Sequence, residues 1–136
     1  TSIQGCKPIW GNRVELAVLL ITIAKHETHL AEHIHADRCG PFECDRGKAK
    51  GLWQLHASYA MPRAVWEQSG GTSAASTYLG ALYTARMLAG VRTRCSKKGS
   101  DWLGPTIAGY ATGDACTWSG SAERVRSFDA LMGVHY

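Results

Sequence analysis

The fold is decided by one stretch, residues 14–28, which reads VELAVLLITIAKHET. It is almost continuously apolar up to Ala24 and then turns polar. With Asn12 as a candidate N-cap, this pattern predicts a helix over residues 12–35. Because a helix that is apolar on all sides must be covered by the rest of the chain, we expect it to be central and buried. The apolar run is shorter than the roughly 20 residues that cross a bilayer, so no membrane span is predicted.

Four further helices are predicted by apolar spacing and by glycine stops. Their expected bounds are 58–68, 72–91, 100–113 and 121–132. Upstream of them, Cys39–Lys50 is rich in Gly, Pro, Cys and charged residues, which predicts an ordered loop, and Gly51–Leu55 could be a strand or the start of a helix. No repeat or linker is visible. The prediction is a mainly α fold in a single domain of residues 1–136.

Composition narrows the class of protein. The chain has 136 residues, of which 45% are hydrophobic and 19% charged, as is typical of a folded globular domain. Its net charge of +4 favours encounter with anionic polymers such as peptidoglycan, teichoic acid or nucleic acid. The basic residues are scattered and no base-reading motif is visible, so nucleic acid is not expected as a partner.

The cysteine content indicates the redox environment in which the protein resides. Five cysteines in so short a chain predict an oxidising environment, where structural disulfides persist. Cys39 and Cys44 bracket a Gly-Pro turn and could close a short loop, while Cys95 and Cys116 flank a predicted helix and could staple it. That pairing leaves Cys6 over, and unpaired buried thiols are the alternative. We expect a secreted or periplasmic protein.

Glu27 is the candidate catalytic group. It follows Ile23 by four positions and Leu20 by seven, so helical geometry places its carboxylate on an apolar stripe. Partial burial there would disfavour the charged form, which suits a group that must deliver a proton as a general acid. Cleavage of a glycosidic bond needs such an acid to protonate the bridging oxygen. On position alone, a glutamate at the rim of a core helix is the competing interpretation.

Three segments together resemble a known superfamily. Residues 25–28 read KHET at the end of the long helix, residues 45–55 read DRGKAKGLWQL, and residues 108–113 read AGYATG. In order and approximate spacing they resemble goose-type lysozymes and soluble lytic transglycosylases, in which a helix-borne Glu-Ser precedes Gly-Leu-Met-Gln and Ala-Tyr-Asn-x-Gly. The resemblance covers residues from about 14 to 128. It implies a lysozyme-like fold with a small β element beside the substrate cleft.

The resemblance also implies site residues. Glu27 corresponds to the proton donor, and Asp45, in the goose-type loop pattern, is the candidate carboxylate that orients the attacking water. An inverting pair of this kind stands about 6.5–9.5 Å apart. Gln54 and Tyr110 correspond to cleft residues, the glutamine contacting sugar and the tyrosine lying close to the catalytic glutamate. Trp53 could offer its ring to a sugar or fill the core.

Some positions depart from the family pattern. Thr28 replaces Ser, Trp53 replaces Met, and Ala111 stands where the transglycosylase pattern has Asn. His56 takes a position where goose-type sequences commonly carry another Asp, so it joins the candidate substrate-site residues. Asp37 could substitute for that carboxylate or be a solvated surface group.

The activity implied is that of a muramidase, which cleaves the MurNAc-GlcNAc β-1,4 bond of peptidoglycan. A lytic transglycosylase, forming 1,6-anhydro-MurNAc ends with Glu27 alone, is the alternative within the fold, and a chitinase is another. We expect no cofactor and no metal. We expect a monomer whose main partner is the glycan strands of peptidoglycan. Chitin is the alternative substrate, and a proteinaceous lysozyme inhibitor or immunity protein is a further candidate partner.

Two alternatives come from other classes. Residues His29, Glu32 and His33 match the zinc-peptidase motif H-x-x-E-H, in which both histidines share one helix face. The string is short, and the neighbouring histidines show that the segment is simply rich in this residue. A non-catalytic glycan-binding module is the second alternative, and the presence of both Glu27 and Asp45 argues against it.

Overall fold

The computed structural model describes residues 13–95, 102–113 and 115–133. Within these ranges the chain is mainly helical, with seven helices and a two-stranded antiparallel sheet, which confirms the predicted class. The helices are α1 Arg13–Thr28, α2 Glu32–His35, α3 Cys44–Gly47, α4 Arg63–Gln68, α5 Ala74–Cys95, α6 Leu103–Thr112 and α7 Ser121–Leu131, and the strands are β1 Ala49–Lys50 and β2 Leu55–His56. None of the helices in these ranges combines the length and apolar character needed to cross a membrane.

The chain divides into two compact units. Unit 2 is the continuous segment Ala24–Thr84, and unit 1 contains the residues up to Ile23 and from Ala85 onward. Unit 2 carries most of the candidate site residues, whereas Tyr110 belongs to unit 1. The expectation of a single domain stays a prediction.

Helix α1 is buried along one face. Leu19 and Ile23 are fully buried, whereas Val14 and Ile21 are 59% and 48% exposed. The exposed stripe also includes Lys25, one helical turn after Ile21, whose charge keeps that side in contact with water. The expectation of burial on every side is therefore wrong for this stripe.

Helix α1 also ends earlier than predicted. His29 and Leu30 have φ values of 53° and 57°, a left-handed backbone that takes the chain out of the helix after Thr28. The Ala31 amide then donates to the Thr28 carbonyl at 3.0 Å, and a helix resumes only at Glu32. The predicted single helix over 12–35 is therefore two separate helices.

Helix α4 begins at Arg63, later than the predicted start near residue 58. The amide of Ser58 donates to the Met61 carbonyl at 2.9 Å, so the intervening residues form a turn. Because proline disfavours helical backbone in the residue before it, Met61 cannot readily belong to the helix and α4 starts after Pro62. The other predicted helices lie close to their expected bounds, and Gly113, with φ of 92°, follows the end of α6 as expected.

Both predicted disulfides are present. Cys39 is bonded to Cys44, and Cys95, the last residue of α5, is bonded to Cys116 beyond α6. Cys6 lies outside the described residues. Two disulfides in a chain of this length are consistent with a location outside the cytoplasm.

The described part of unit 1 is built around aromatic packing between α6 and α7. The rings of Trp102 and Phe128 meet edge to face, with centroids 6.1 Å apart and an interplanar angle of 89°. The Arg92 guanidinium lies 4.0 Å from the centroid of the Trp102 ring, which adds a cation–π contact from α5. These contacts hold α6, the helix that carries Tyr110, within its unit.

Two glycines should respond to alanine in opposite directions. A Cβ at Gly109, on α6, would overlap Cγ1 of Val91 on α5, whereas one at Gly90 would meet nothing within 4 Å. We expect Gly109→Ala to destabilise the protein by about 1–3 kcal/mol through overpacking. Gly90→Ala should stabilise it by about 0.5–1 kcal/mol, because alanine favours the helix more than glycine does.

Urea unfolding of the two variants measures both changes. Adding Val91→Ala to the Gly109→Ala protein should recover part of the loss, because it removes the overlapping methyl group. Equal destabilisation by both glycine substitutions would contradict the close approach of α6 to α5.

Candidate functional site

Left-handed backbone is concentrated in one segment of unit 2. Among the described residues, all non-glycine positions with positive φ lie between His29 and Gln54. They are His29, Leu30, Asp37, Cys44, Asp45, Arg46 and Gln54. Such a conformation costs roughly 1–2 kcal/mol per residue and persists only where surrounding contacts enforce it, which happens most often at functional sites. The backbone conformation of the segment that carries Asp45 therefore indicates a candidate functional site.

The element α3 is a single left-handed turn. Cys44, Asp45, Arg46 and Gly47 have φ values of 55°, 49°, 55° and 84°. The disulfide to Cys39 fixes its first residue, whose side chain is buried, and the Lys48 amide closes the turn by donating to the Asp45 carbonyl at 3.2 Å. This turn presents Asp45 and Arg46 on the surface as neighbouring exposed side chains.

The structure brings Asp45 and His56 together. Nε2 of His56 donates to Oδ2 of Asp45 at 3.0 Å, and both side chains are largely exposed. The sheet sets this pairing, because β2 places His56 opposite Ala49, shortly after the α3 turn. A carboxylate bound in this way fixes the orientation and the tautomer of the imidazole. The residue that departs from the family pattern therefore contacts the candidate water-positioning residue directly.

Thr28 ties the end of α1 to a second candidate segment. Its side chain is 3% exposed, and its Oγ1 lies 2.9 Å from the Ala24 carbonyl and 3.0 Å from the Leu52 carbonyl. The single hydroxyl proton is shared between these two acceptors. Serine carries the same hydroxyl, so the Ser that the resemblance leads one to expect at this position could make the same contact.

Glu27 lies immediately before Thr28, in the last turn of α1, and its side chain is half-buried. The Thr28 contact therefore restrains the backbone next to Glu27 against residues 51–54. The separation of 6.5–9.5 Å expected between the carboxylates of an inverting pair stays a prediction for Glu27 and Asp45.

Residues 51–54 form a turn that positions Trp53 and Gln54. Gln54 donates to the Gly51 carbonyl twice, from its backbone amide at 3.1 Å and from Nε2 at 3.0 Å. The same Nε2 lies 3.4 Å from Sγ of Cys44, which joins this turn to the disulfide. The amide nitrogen is thus engaged within the protein, and Oε1 is the Gln54 atom that could accept a hydrogen bond from a ligand.

Trp53 is a core residue of unit 2. Its side chain is 8% exposed, and a Cβ added at Gly80 would lie 3.0 Å from two of its ring atoms. This position favours the core-filling interpretation over a sugar platform. Tyr110 is half-buried on α6 in unit 1.

Asp37 is engaged in an ion pair. Nζ of Lys50 lies 2.9 and 3.0 Å from the two oxygens of its carboxylate. This contact favours a structural role for Asp37 and makes it a poor replacement for a water-holding carboxylate.

The histidine-rich motif does not form the arrangement expected of a zinc peptidase. His29 has left-handed backbone between α1 and α2, whereas His33 lies inside α2, so the expectation that they share one helix face is wrong. His33 instead contacts Glu43, with Nε2 2.9 Å from Oε2. No group of three or more His, Cys, Asp or Glu residues in the described ranges is arranged to hold a metal ion.

Glu43 anchors the disulfide loop that precedes α3. Its carboxylate accepts from the Gly40 amide at 2.8 Å and from His33. The Gly40 hydrogen bond, and then the His33 contact, lower the pKa of the Glu43 carboxyl below its ordinary value. The same loop carries Phe42 with 86% of its side chain exposed.

A basic recess lies beside the Asp45–His56 pair, and sequence reasoning missed it. Its volume is about 340 Å³, and its lining includes Arg46, Lys48, His56, Arg63 and Trp66. The indole Nε1 of Trp66 donates to the Leu55 carbonyl at 2.7 Å, which fixes the wall. Basic residues alternate at positions 46, 48 and 50, and this alternation was the sequence signal that could have indicated a basic surface. Nothing in the sequence indicated that Arg63 would join them.

Comparisons with known proteins returned nothing similar: no family profile, no curated protein and no solved structure matches this chain. The assignment of a function therefore rests on the residues and their geometry.

The Thr28 contact predicts a clear difference between two substitutions. Thr28→Val removes the buried hydroxyl and leaves the part-buried Leu52 carbonyl without this donor, which should cost about 1–3 kcal/mol in the free energy of unfolding. Thr28→Ser keeps the hydroxyl and should lose less. Thr93→Val is the matched control, because Thr93 is exposed and its Oγ1 donates to the Ala89 carbonyl within the same helix.

Urea unfolding of these three variants provides the measurement. A change below about 0.5 kcal/mol is expected for the control. If Thr28→Val is no more destabilising than Thr93→Val, the link between α1 and residues 51–54 is not a structural restraint.

The Glu43 contacts should weaken in acid. A carboxyl group whose folded-state pKa is lowered adds stability above its unfolded pKa, on the order of 4.3, and loses that contribution as pH falls through the folded value. We expect the Glu43 carboxyl signal in NMR to titrate below the ordinary glutamate range, with the Gly40 amide signal following the same midpoint. His33→Ala should reduce this effect without abolishing it, because the Gly40 hydrogen bond is its larger cause. A midpoint at the ordinary glutamate value in the unsubstituted protein would contradict the anchor.

Proposed function

We propose that this chain is a peptidoglycan-degrading muramidase of lysozyme-like fold, which cleaves the MurNAc-GlcNAc β-1,4 bond with Glu27 as general acid. The observation that carries the proposal is the hydrogen bond from Thr28 to Leu52. It joins the segment that ends α1 with Glu27 to the segment 45–55, and these are two of the three segments in the resemblance. Contact between them supports the interpretation that they form one site.

In the proposed reaction, Glu27 gives its proton to the glycosidic oxygen as the bond to the anomeric carbon breaks. The leaving sugar departs as an alcohol, and positive charge develops on the remaining ring in an oxocarbenium-like transition state. Water attacks the anomeric carbon from the opposite face and loses a proton to Asp45. The product is a reducing end with inverted configuration.

His56 has a positioning role in this proposal. Its hydrogen bond to Oδ2 of Asp45 holds one carboxylate oxygen, which leaves Oδ1 to accept from the attacking water. The left-handed turn of α3 supports the same function, because it holds the backbone of Asp45 in a conformation that a free chain rarely adopts.

A lytic transglycosylase is the second candidate. Its reaction uses Glu27 first as acid and then as base, while the 6-hydroxyl of the sugar closes an anhydro ring without any second carboxylate. This reaction does not depend on Asp45, whose Oδ2 is bound by His56, so it tolerates a histidine at position 56 better than the hydrolase reaction does. Both reactions fit a location outside the cytoplasm, which we propose to be secretion or the periplasm.

Digestion of purified peptidoglycan, followed by mass spectrometry of the fragments, tests the proposal. The unsubstituted protein should release fragments with reducing ends, which are heavier by one water than the anhydro ends of a transglycosylase. Glu27→Gln should lower the rate by about 10²–10⁴-fold, as expected for loss of a general acid. Glu67→Gln is the matched control, because Glu67 is an exposed glutamate on α4 and its substitution changes the charge equally.

The variants distinguish the two candidate reactions from each other and from the absence of both. Loss of reducing ends in Asp45→Asn supports the hydrolase, whereas anhydro products that persist in Asp45→Asn support the transglycosylase. Equal activity of Glu27→Gln and Glu67→Gln would overturn the assignment of Glu27 and with it the muramidase proposal.

A further inference from the structure

The basic recess of unit 2 gathers cations from separate parts of the sequence. Arg46 comes from the α3 turn, Lys48 from the residue before β1, and Arg63 from the start of α4. Their side chains line one concave surface of about 340 Å³. Convergence of like charges on a concavity raises the local concentration of anions far more than the same charges would when scattered.

Within the part of the chain that the structure describes, no carboxylate pairs with any of these three cations. The ion pairs in the described ranges join His33 to Glu43, Lys50 to Asp37 and His56 to Asp45, and none of them includes Arg46, Lys48 or Arg63. Lys50 illustrates the contrast, because its charge is neutralised by Asp37. The acidic group next to the recess, Asp45, is already bound to His56. The recess therefore has a surplus of positive charge.

The wall of the recess is rigid. Trp66 is 6% exposed, and its Nε1 is hydrogen-bonded to the Leu55 carbonyl of β2. The Arg63 guanidinium lies 5.1 Å from the centroid of the Trp66 ring, a cation–π contact that restricts where this long side chain can go. The left-handed backbone of α3 fixes only where the Arg46 side chain leaves the main chain. A cationic group that is already held in place, as Arg63 is, loses less entropy when a ligand binds.

We propose that this recess is a subsite for an oxyanion carried by the wall polymer, next to the Asp45–His56 pair, and this inference rests on the proposed function. Two arginines and a lysine suit the planar or tetrahedral oxygens of carboxylates and phosphates, which guanidinium groups bind with paired hydrogen bonds. Bacterial wall offers this chemistry from two sources, the carboxylates of the stem peptide and the phosphodiesters of teichoic acid. Chitin has neither, so the subsite selects wall glycan over chitin.

Binding is measured with catalysis switched off, so that the subsite is tested apart from the reaction. The protein with Glu27→Gln is sedimented with four insoluble materials. The first is intact bacterial wall, and the second is wall from which hydrofluoric acid has removed the teichoic acid. The third is the same stripped wall after an amidase has also removed the peptides, and the fourth is chitin. Each binding series is repeated in a second protein that adds Arg46→Gln and Arg63→Gln. A third protein adds Arg38→Gln and Arg126→Gln instead, which removes the same charge from exposed sites outside the recess.

The recess variant should bind intact walls at least about tenfold more weakly than the protein with Glu27→Gln alone, whereas the Arg38 and Arg126 variant should stay within about twofold. A loss of affinity on removal of teichoic acid assigns the phosphodiester, and a loss on removal of the peptides assigns the carboxylate. In either case the recess variant should bind walls with the same affinity before and after that treatment. Thermal unfolding of all three proteins verifies that they are folded.

Three results would overturn the subsite. Equal weakening by the two double substitutions would mean that the walls attract the protein through its net charge alone. If the recess substitutions weaken binding to a DNA duplex, measured by fluorescence polarisation, as much as binding to walls, the recess recognises phosphate without regard to the wall polymer. Binding to chitin as strong as binding to walls, and unchanged in the recess variant, would mean that it binds no anion. A selective effect of the recess in a protein that releases no fragments from peptidoglycan would instead refute the proposed reaction and leave the subsite standing.

Discussion

The hydrogen bond between the Thr28 hydroxyl and the Leu52 carbonyl joins positions 24 apart in the sequence, and the candidate site depends on it. It is part-buried and lies at the point where α1 stops and the backbone becomes left-handed at His29. Loss of the donor to the Leu52 carbonyl would cost free energy, so the contact helps to keep the end of the helix in place. It restrains the backbone beside Glu27 in addition to the helix itself.

Opposite charges lie side by side in the α3 turn without cancelling each other. Asp45 faces His56, whereas the next residue, Arg46, lines the basic recess. Strand β2 contributes to both features, because its His56 binds Asp45 and its Leu55 carbonyl accepts from Trp66, and both His56 and Trp66 line the recess. In the proposed enzyme, the water-positioning carboxylate thus stands next to the anion subsite and is bound by a residue of that subsite.

Features that are determined by residues close together in the sequence were predicted, and features that depend on distant residues were missed. The helices α5 to α7 and the Cys39–Cys44 loop follow from spacing within a few residues, and they were predicted close to where they lie. The end of α1 was missed because it depends on Leu52, far along the chain. The left-handed backbone at Asp45 was missed because the tendency of Asp toward it is weak and the neighbouring Cys44 and Arg46 lack that tendency. The recess was missed because Arg63 joins the other cations only after folding.

The small covalent ring closed by Cys39 and Cys44 makes the geometry of Asp45 a local property. The left-handed turn begins at the residue where that ring closes, so its first constraint is a chemical bond and not a packing contact that can open and close. Proteins open in parts, and segments held by few contacts open first. Fraying elsewhere in the chain leaves the ring intact, so the conformational freedom of Cys44, from which the turn leads into Asp45, stays restricted.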